Sequence, residues 1–289
     1  MSTDARTDPL IDVATLQEQL DGPEETRPVL LDARYRLDDP DGRAAHENGH
    51  LPGAAYIDVD TALAHIRPDG VGGRHPMPDA ETFAAAMRAA GVRNDRPVVA
   101  YDDWLSLAAS RAWWLLRYFG KSDVRVLDGG LAAWRAAALP LETGPVHPDA
   151  GDFTADPGHA RLLTAEDAQR YAERGFLLDA RPADRFRGEN EVIDPVAGHI
   201  PGARCLPALD TVDERGMFRP ADALAVEAAG VGVRPGDDVG TYCGSGIQAT
   251  HLALVLRHAG VNDDAGVYIG SWSDWITDLE RPVELGAPD

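Results

Sequence analysis

Lysine is almost missing from this chain: Lys121 is the only one in 289 residues, and 27 basic residues face 48 acidic ones for a net charge of −21. So acidic a surface repels phosphate backbones and anionic lipid at long range, which excludes nucleic acid and membrane surfaces as expected partners. The acids recur along the whole chain and read as a solvating surface, not a binding tail. A saline source and a GC-rich coding bias account equally well for this composition. Cysteine is scarce too, with only Cys205 and Cys243. Two are too few for a disulfide framework and fit a reducing compartment, where at least one can be a working thiol. No apolar run approaches the roughly 20 residues of a membrane span. Residues 1–12 are polar and acidic, unlike a signal peptide, so the expectation is a soluble cytoplasmic protein. Neither cysteines nor histidines fall at metal-ligand spacing, and no dinucleotide fingerprint follows a strand, so no metal or cofactor is expected.

What is present is a repeat. Leu30-Leu31-Asp32-Ala33-Arg34 returns as Leu177-Leu178-Asp179-Ala180-Arg181, and Gly49-His50-Leu51-Pro52-Gly53-Ala54 returns as Gly198-His199-Ile200-Pro201-Gly202-Ala203. Ala89-Ala90-Gly91-Val92 matches Ala228-Ala229-Gly230-Val231, and Gly129 with Trp134 matches Gly270 with Trp275. Order is kept while the offset drifts only between 139 and 149, as loop insertions produce. A unit of this size is too long for a solenoid repeat and implies a duplicated globular domain. The expected division is a first domain over 1–143, a linker over 144–160 and a second domain over 161–289. The stretch 141–159, with three prolines and three glycines, marks the connection.

Within each half, short apolar runs alternate with helical patterns. Residues 29–32, 54–58, 97–101, 124–127 and 176–180 read as buried strands, and 80–90, 106–119, 165–174 and 249–258 as helices. Thr164 with Asp167 reads as a helix start. Such alternation predicts an α/β fold, each domain a mostly parallel sheet with helices on both faces. His50 and His199 recur in both copies, which points to a role in the turn and away from chemistry. Cys205, in Ala203-Arg204-Cys205-Leu206, reads as a packing residue in a buried strand.

In sheets of this kind functional loops leave strand carboxyl ends and enter helix amino ends. Cys243 holds that position: Asp238 to Tyr242 reads as the strand, and Cys243-Gly244-Ser245-Gly246-Ile247-Gln248 as the loop into the next helix. Two glycines let the backbone curl so that N–H groups point inward, and the helix adds its positive end, favouring an anion at the sulfur. A tight turn around a buried cysteine is the structural alternative. At the equivalent position of the first half stands Asp102, in Tyr101-Asp102-Asp103-Trp104.

The two repeated motifs, Asp128-Gly129-Gly130-Leu131-Ala132-Ala133-Trp134 and the Cys-Gly-Ser-Gly loop together resemble the tandem-domain rhodanese family over nearly the whole chain. The resemblance implies two tandem rhodanese-like domains and sulfur transfer through a persulfide on Cys243. It makes the first domain catalytically silent, since the Asp102 carboxylate cannot carry a sulfane sulfur. The Cys-Gly-Ser-Gly loop resembles the 3-mercaptopyruvate branch, whereas thiosulfate sulfurtransferases more often place basic residues after the cysteine. That branch implies Asp60, His75 and Ser245 as a proton-handling triad, although the stretch 61–74 differs in length from relatives. A surface-loop histidine is the other reading of His75. Arg185 matches the substrate-binding arginine, and Gly244, Gly246, Ile247 and Gln248 complete the binding loop. A second arginine of the branch is missing from 188–194, so Arg187 is its candidate substitute or a solvated surface charge. The implied partners are a small anionic sulfur donor, 3-mercaptopyruvate being favoured, and an acceptor that is cyanide or a thiol such as thioredoxin or a small thiol; a thiosulfate:cyanide sulfurtransferase is the alternative. A cysteine phosphatase is excluded by Ala249, which stands where its anion-clamping arginine belongs. A non-catalytic binding module remains the distant alternative, against which the presence of cysteine in one copy only argues.

Overall fold

The computed structural model describes residues 8–36 and 41–287; the expected domain bounds at residues 1 and 289 fall outside them. The first half runs β1 (Leu10–Ile11), α1 (Val13–Asp21), β2 (Val29–Asp32), α2 (Gly42–Glu47), β3 (Ala55–Tyr56), α3 (Ala80–Ala89), β4 (Val98–Tyr101), α4 (Leu107–Tyr118), β5 (Val124–Leu127) and α5 (Gly130–Ala136). The second runs α6 (Ala165–Glu173), β6 (Leu177–Asp179), α7 (Ala183–Phe186), β7 (Arg204–Cys205), α8 (Ala221–Gly230), β8 (Gly240–Tyr242), α9 (Ile247–His258), β9 (Gly266–Val267) and α10 (Ser271–Trp275). Both sheets are parallel, ordered β1-β5-β4-β2-β3 and β7-β6-β8-β9. Among the described residues, the counterpart of β1 in the second sheet is a single parallel bridge from Leu162 to Val267.

Side-chain caps account for the starts of four helices. Asp12, Asp41 and Asp79 each accept a backbone N–H from the first turn, and Thr164 with Asp167 forms the reciprocal capping box expected from the sequence. Strand 54–58 shortens to β3, and α9 begins two residues before the expected 249. The element β1–α1 shows no clear strand period in two residues and was not foreseen.

The repeated motifs turn out to be a buried frame. Arg34 pairs with Asp32 at 2.6 Å and Arg181 with Asp179 at 2.6 Å, all four side chains being almost inaccessible. Trp134 donates its indole N–H to the Pro140 carbonyl, and Trp275 does the same to Pro282. His50 bridges to Glu142 and His199 to Glu284 through antiparallel backbone pairs, and both rings are fully buried. Segment 141–159 is not a free tether: Phe153 is 1% exposed in the first half's core, and the Gly151 N–H bonds the Arg88 carbonyl.

Two equivalent helices, α4 and α9, pack against each other between the sheets, so one apolar core runs through both halves. Ten of twelve α4 residues and nine of twelve α9 residues are buried, which explains why their sequences are apolar nearly all round. Each large apolar side chain buried there contributes about 1.5–3 kcal/mol. The loops entering these helices, 102–106 and 243–246, therefore lie at the join.

His251 on α9 shows how tightly this interface excludes water. Its ring stacks on Phe218 with centroids 5.0 Å apart, and its Nε2 lies 2.9 Å from the Thr211 hydroxyl, which itself donates to the Ala208 carbonyl. Burial pushes its pKa down to about 4, from about 6.5 in an unfolded chain. Between those values the unfolded chain takes up a proton that the folded chain refuses. The contribution to stability is complete above pH 6.5 and is lost as pH falls towards 4. Urea unfolding at pH 7 and 4.5 should show wild type losing about 2–3 kcal/mol more than His251→Gln. Equal losses in the two proteins would contradict this assignment.

Candidate active site

Strand β8 delivers Cys243 to its carboxyl end and α9 begins four residues later, with Gly246 as its N-cap. Gly246 is required there: its φ is +84°, and a Cβ would lie 2.4 Å from the Ile269 carbonyl oxygen. This curl turns the Gly246 N–H towards the sulfur, 3.1 Å from Cys243 Sγ. Ser271 holds the cysteine from behind, its hydroxyl accepting the Cys243 N–H at 3.0 Å while donating to the Tyr268 carbonyl. Backbone N–H groups of Trp272 and Ser273 bond the carbonyls of Cys243 and Gly244, tying the loop to α10.

Beneath the loop lies a charge from the other half. Arg111, on α4, is fully buried, and its guanidinium bonds only carbonyls: Leu63, His75, Pro76 and, at 3.4 Å, Gly246. No carboxylate pairs with it among the described residues. Burial pushes its pKa down to about 10, against a raising influence from Cys243, so it stays charged at neutral pH. A buried cation without a carboxylate is costly unless an anion is to be held nearby. Cys243 is the one residue whose charge acts on it.

Asp102 clarifies what the loop is built for. Its carboxylate accepts N–H groups of Trp104, Ser106 and Ala109 at 2.8–2.9 Å, so the first half fills its own anion cradle. Burial still pushes its pKa up to about 6. The cradle in the second half presents a sulfur in place of that carboxylate.

Asp60 and His75 come together, with His75 Nε2 3.4 Å from Asp60 Oδ1 and 3.2 Å from the Tyr35 hydroxyl. Burial lowers the His75 pKa in spite of Asp60, so the ring is neutral at neutral pH. Its Nδ1 is buried without a hydrogen-bond partner among the described residues. Ser245 is half-buried on the loop and makes no hydrogen bond to His75 among the described residues, so of the expected triad only Asp60 and His75 are in contact. Tyr35, raised to about 12 by burial, is a fourth group that was not anticipated.

Arg185 sits over the loop, its Nε and Nη2 held by Glu191 and its Nη2 also by Asp194 at 3.0 Å. Arg187 does not join it. That guanidinium pairs with Glu189 at 2.7 Å, and its electrostatic neighbours are Asp184 and Cys205. The cation beside Arg185 is instead Arg74, which pairs with Asp194. Ile247 is buried at the start of α9, and Gln248 is half-buried beside it. Cys205 departs from the expected buried strand: β7 is a two-residue sheet edge, and the thiol is half-buried, donating to the Arg181 carbonyl. Burial pushes it up to about 12, which keeps it protonated.

Sequence reasoning missed Arg74, Arg111, Tyr35 and Ser271. Arg111 left a signal, a lone arginine inside Leu-Ala-Ala-Ser-Arg-Ala-Trp-Trp-Leu-Leu, where a surface charge has no place. Arg74 and Ser271 left none, because their roles depend on how the two halves meet.

The rhodanese-like domain model matches residues 12–137 and again 163–278. A Mycobacterium tuberculosis protein provisionally named thiosulfate sulfurtransferase SseB is 44% identical over 260 residues, 89% of this chain and 90% of its own. A Pseudomonas aeruginosa protein provisionally named 3-mercaptopyruvate sulfurtransferase is 45% identical over 263 residues, 89% of this chain and 92% of its own. The solved structure of the 3-mercaptopyruvate sulfotransferase SseA from Escherichia coli superposes with a TM-score of 0.80 at 34% identity, covering 92% of this chain and all of that one. Two matched domains, shared architecture and full-length similarity agree: the chain belongs to the rhodanese-like family and is a tandem-domain sulfurtransferase.

Proposed function

We propose that this enzyme takes sulfur from 3-mercaptopyruvate onto Cys243 as a persulfide and passes it to a thiol. The observation that carries the reading is the sulfur's setting: Cys243 Sγ receives the Gly246 N–H, above a buried Arg111 that has only carbonyl partners. The cysteine thiolate attacks the mercaptopyruvate sulfur, and the C–S bond breaks with its electron pair left on carbon. An S–S bond forms while the three-carbon fragment leaves as the pyruvate enolate. The proton of the transferred SH then satisfies that carbanion, giving pyruvate and a persulfide anion held by the same N–H and guanidinium. An acceptor thiolate attacks the outer sulfur and restores the Cys243 thiolate.

Several features support mercaptopyruvate over thiosulfate. Gly244 and Ser245 place no cation beside the sulfur, and Glu191 and Asp194 already neutralise much of the Arg74 and Arg185 charge. A dianion needs more positive charge than this, whereas one carboxylate does not. The enolate also needs proton handling that departing sulfite does not. A neutral His75 oriented by Asp60 and Tyr35, with Ser245 completing the path once donor is bound, supplies it. Thiosulfate is the second reading, favoured by the name of the mycobacterial relative.

In this reading the first half is a silent scaffold over residues 1–143, because Asp102 occupies its cradle, and 161–289 carries the chemistry. The acceptor is a small thiol or a thioredoxin-like protein. No helix among the described residues is long and apolar enough to cross a membrane, and two unpaired cysteines suit the cytoplasm.

The test is Ser245→Ala assayed with both donors. Its kcat/KM for mercaptopyruvate should fall by about 100-fold, the scale of a lost proton relay, while thiosulfate turnover changes little. A wild type that prefers thiosulfate, with Ser245→Ala slowing both donors alike, would make thiosulfate the donor and leave the persulfide step intact.

A further inference from the structure

The donor enters a site that is closed at rest: Cys243 is 1% exposed and Gly244 is buried. What covers Gly244 is a pair of arginines from different halves. A Cβ built on Gly244 would meet Arg74 Nη2 at 2.9 Å, Arg185 Nη1 at 3.6 Å and Arg185 Nη2 at 3.7 Å. The absent side chain is therefore the space into which both guanidinium groups face. Asp194 bridges them, one oxygen on Arg74 Nη1 and the other on Arg185 Nη2. Arg74 Nη2 and Arg185 Nη1 have no hydrogen-bond partner among the described residues, so each arginine keeps a donor edge turned to the same small space.

Arg74 is held there by the second half. Its own N–H bonds the Ser273 hydroxyl at 3.0 Å, and the Gly72 N–H bonds Asp274 at 3.1 Å. Ser273 in turn donates its N–H to the Gly244 carbonyl. The loop 72–75 thus sits on the same residues that fix the cysteine loop, and Arg74 is placed relative to Cys243 through two hydrogen bonds.

We propose that Arg74 is a specificity-determining residue, supplied by the silent half, that binds the donor's carboxylate together with Arg185. The proposal rests on the mercaptopyruvate reading above. On binding, the donor carboxylate takes up Arg74 Nη2 and Arg185 Nη1, while Asp194 keeps its hold on Arg185. One carboxylate is added to two guanidinium groups that have unused donors, so no buried charge is left unpaired. The role expected for Arg187 falls to a residue 113 positions earlier in the chain.

The experiment compares mercaptopyruvate with mercaptoacetone, the same α-keto thiol with a methyl group in place of the carboxylate. Arg74→Ala should lower kcat/KM for mercaptopyruvate about 10- to 100-fold, the scale of a lost charge-assisted hydrogen bond, mostly through KM. Its kcat/KM for mercaptoacetone should stay within about threefold of wild type, which also shows that the variant is folded. Arg74→Lys should recover part of the loss, because charge returns without the planar fork. Equal losses with both donors, or none with mercaptopyruvate, would overturn the proposal. The donor reading is judged separately, by whether wild type prefers mercaptopyruvate to thiosulfate. The ratio of the two keto thiols reports on Arg74 in either case.

Discussion

Cys243→Ser is expected to abolish sulfur transfer from mercaptopyruvate and thiosulfate alike, whereas Cys205→Ser should keep most of the wild-type rate. The two thiols differ in every respect that matters for a nucleophile. Cys243 stands at a helix amino end with a backbone N–H on its sulfur and a buried guanidinium beneath. Cys205 is on a sheet edge, donates to a carbonyl and has a pKa pushed up to about 12 by burial. A serine hydroxyl at 243 fits the same space but cannot hold a transferable sulfur, so the variant should fold and be inactive. Thermal unfolding close to wild type would accompany that loss. Retained turnover in Cys243→Ser would remove the basis of the mechanism.

The second large effect is expected at Arg111, which touches no donor in this account. Arg111→Met should reduce kcat/KM by about 100- to 1,000-fold with either donor, the scale for removing preorganised stabilisation of a reacting anion. Its guanidinium acts in two ways, as a positive charge near the sulfur and as a clamp on the Gly246 carbonyl that keeps the adjoining N–H turned inward. Arg111→Lys separates them, since lysine returns the charge without the fork that reaches four carbonyls. The lysine variant should be intermediate, and alkylation of Cys243 at pH 7 should slow in the same order, arginine, lysine, methionine. If the methionine variant is stable and alkylates as fast as wild type, Arg111 is only a packing residue. Because Arg111 sits on α4 and the cysteine on the loop into α9, this experiment also measures what the first half contributes to the chemistry.

Much of this arrangement is legible in the sequence because it is repeated. The Leu-Asp-Ala-Arg and Gly-His-Leu/Ile-Pro-Gly-Ala runs each form a buried ion pair and turn, and having them twice fixed both the architecture and the structural role of His50 and His199. Cys243 was legible through its glycines, since a loop at the end of a strand that needs φ near +84° at Gly246 is a backbone requirement visible in composition. Arg185 followed from motif position. What could not be read was the contact between halves. Arg74 lies next to His75 in sequence, yet its function depends on Ser273 and Asp194, 199 and 120 residues away. Arg187 was the natural guess for the second cation because it is close to Arg185 in the chain, but one turn of α7 and its C-cap send it to Glu189. The stretch 141–159 reads as a linker by its prolines and glycines, and the packed Phe153 with the Gly151 N–H on the Arg88 carbonyl shows that it closes the first half's core.

A persulfide on Cys243 is detectable by peptide mass spectrometry of the wild-type enzyme after brief treatment with mercaptopyruvate and removal of excess donor. One added sulfur atom is expected on the peptide that contains Cys243, formed with release of one pyruvate and lost again on adding cyanide or a small thiol. Added sulfur on the Cys205 peptide, or pyruvate release with no sulfur on Cys243, would contradict it.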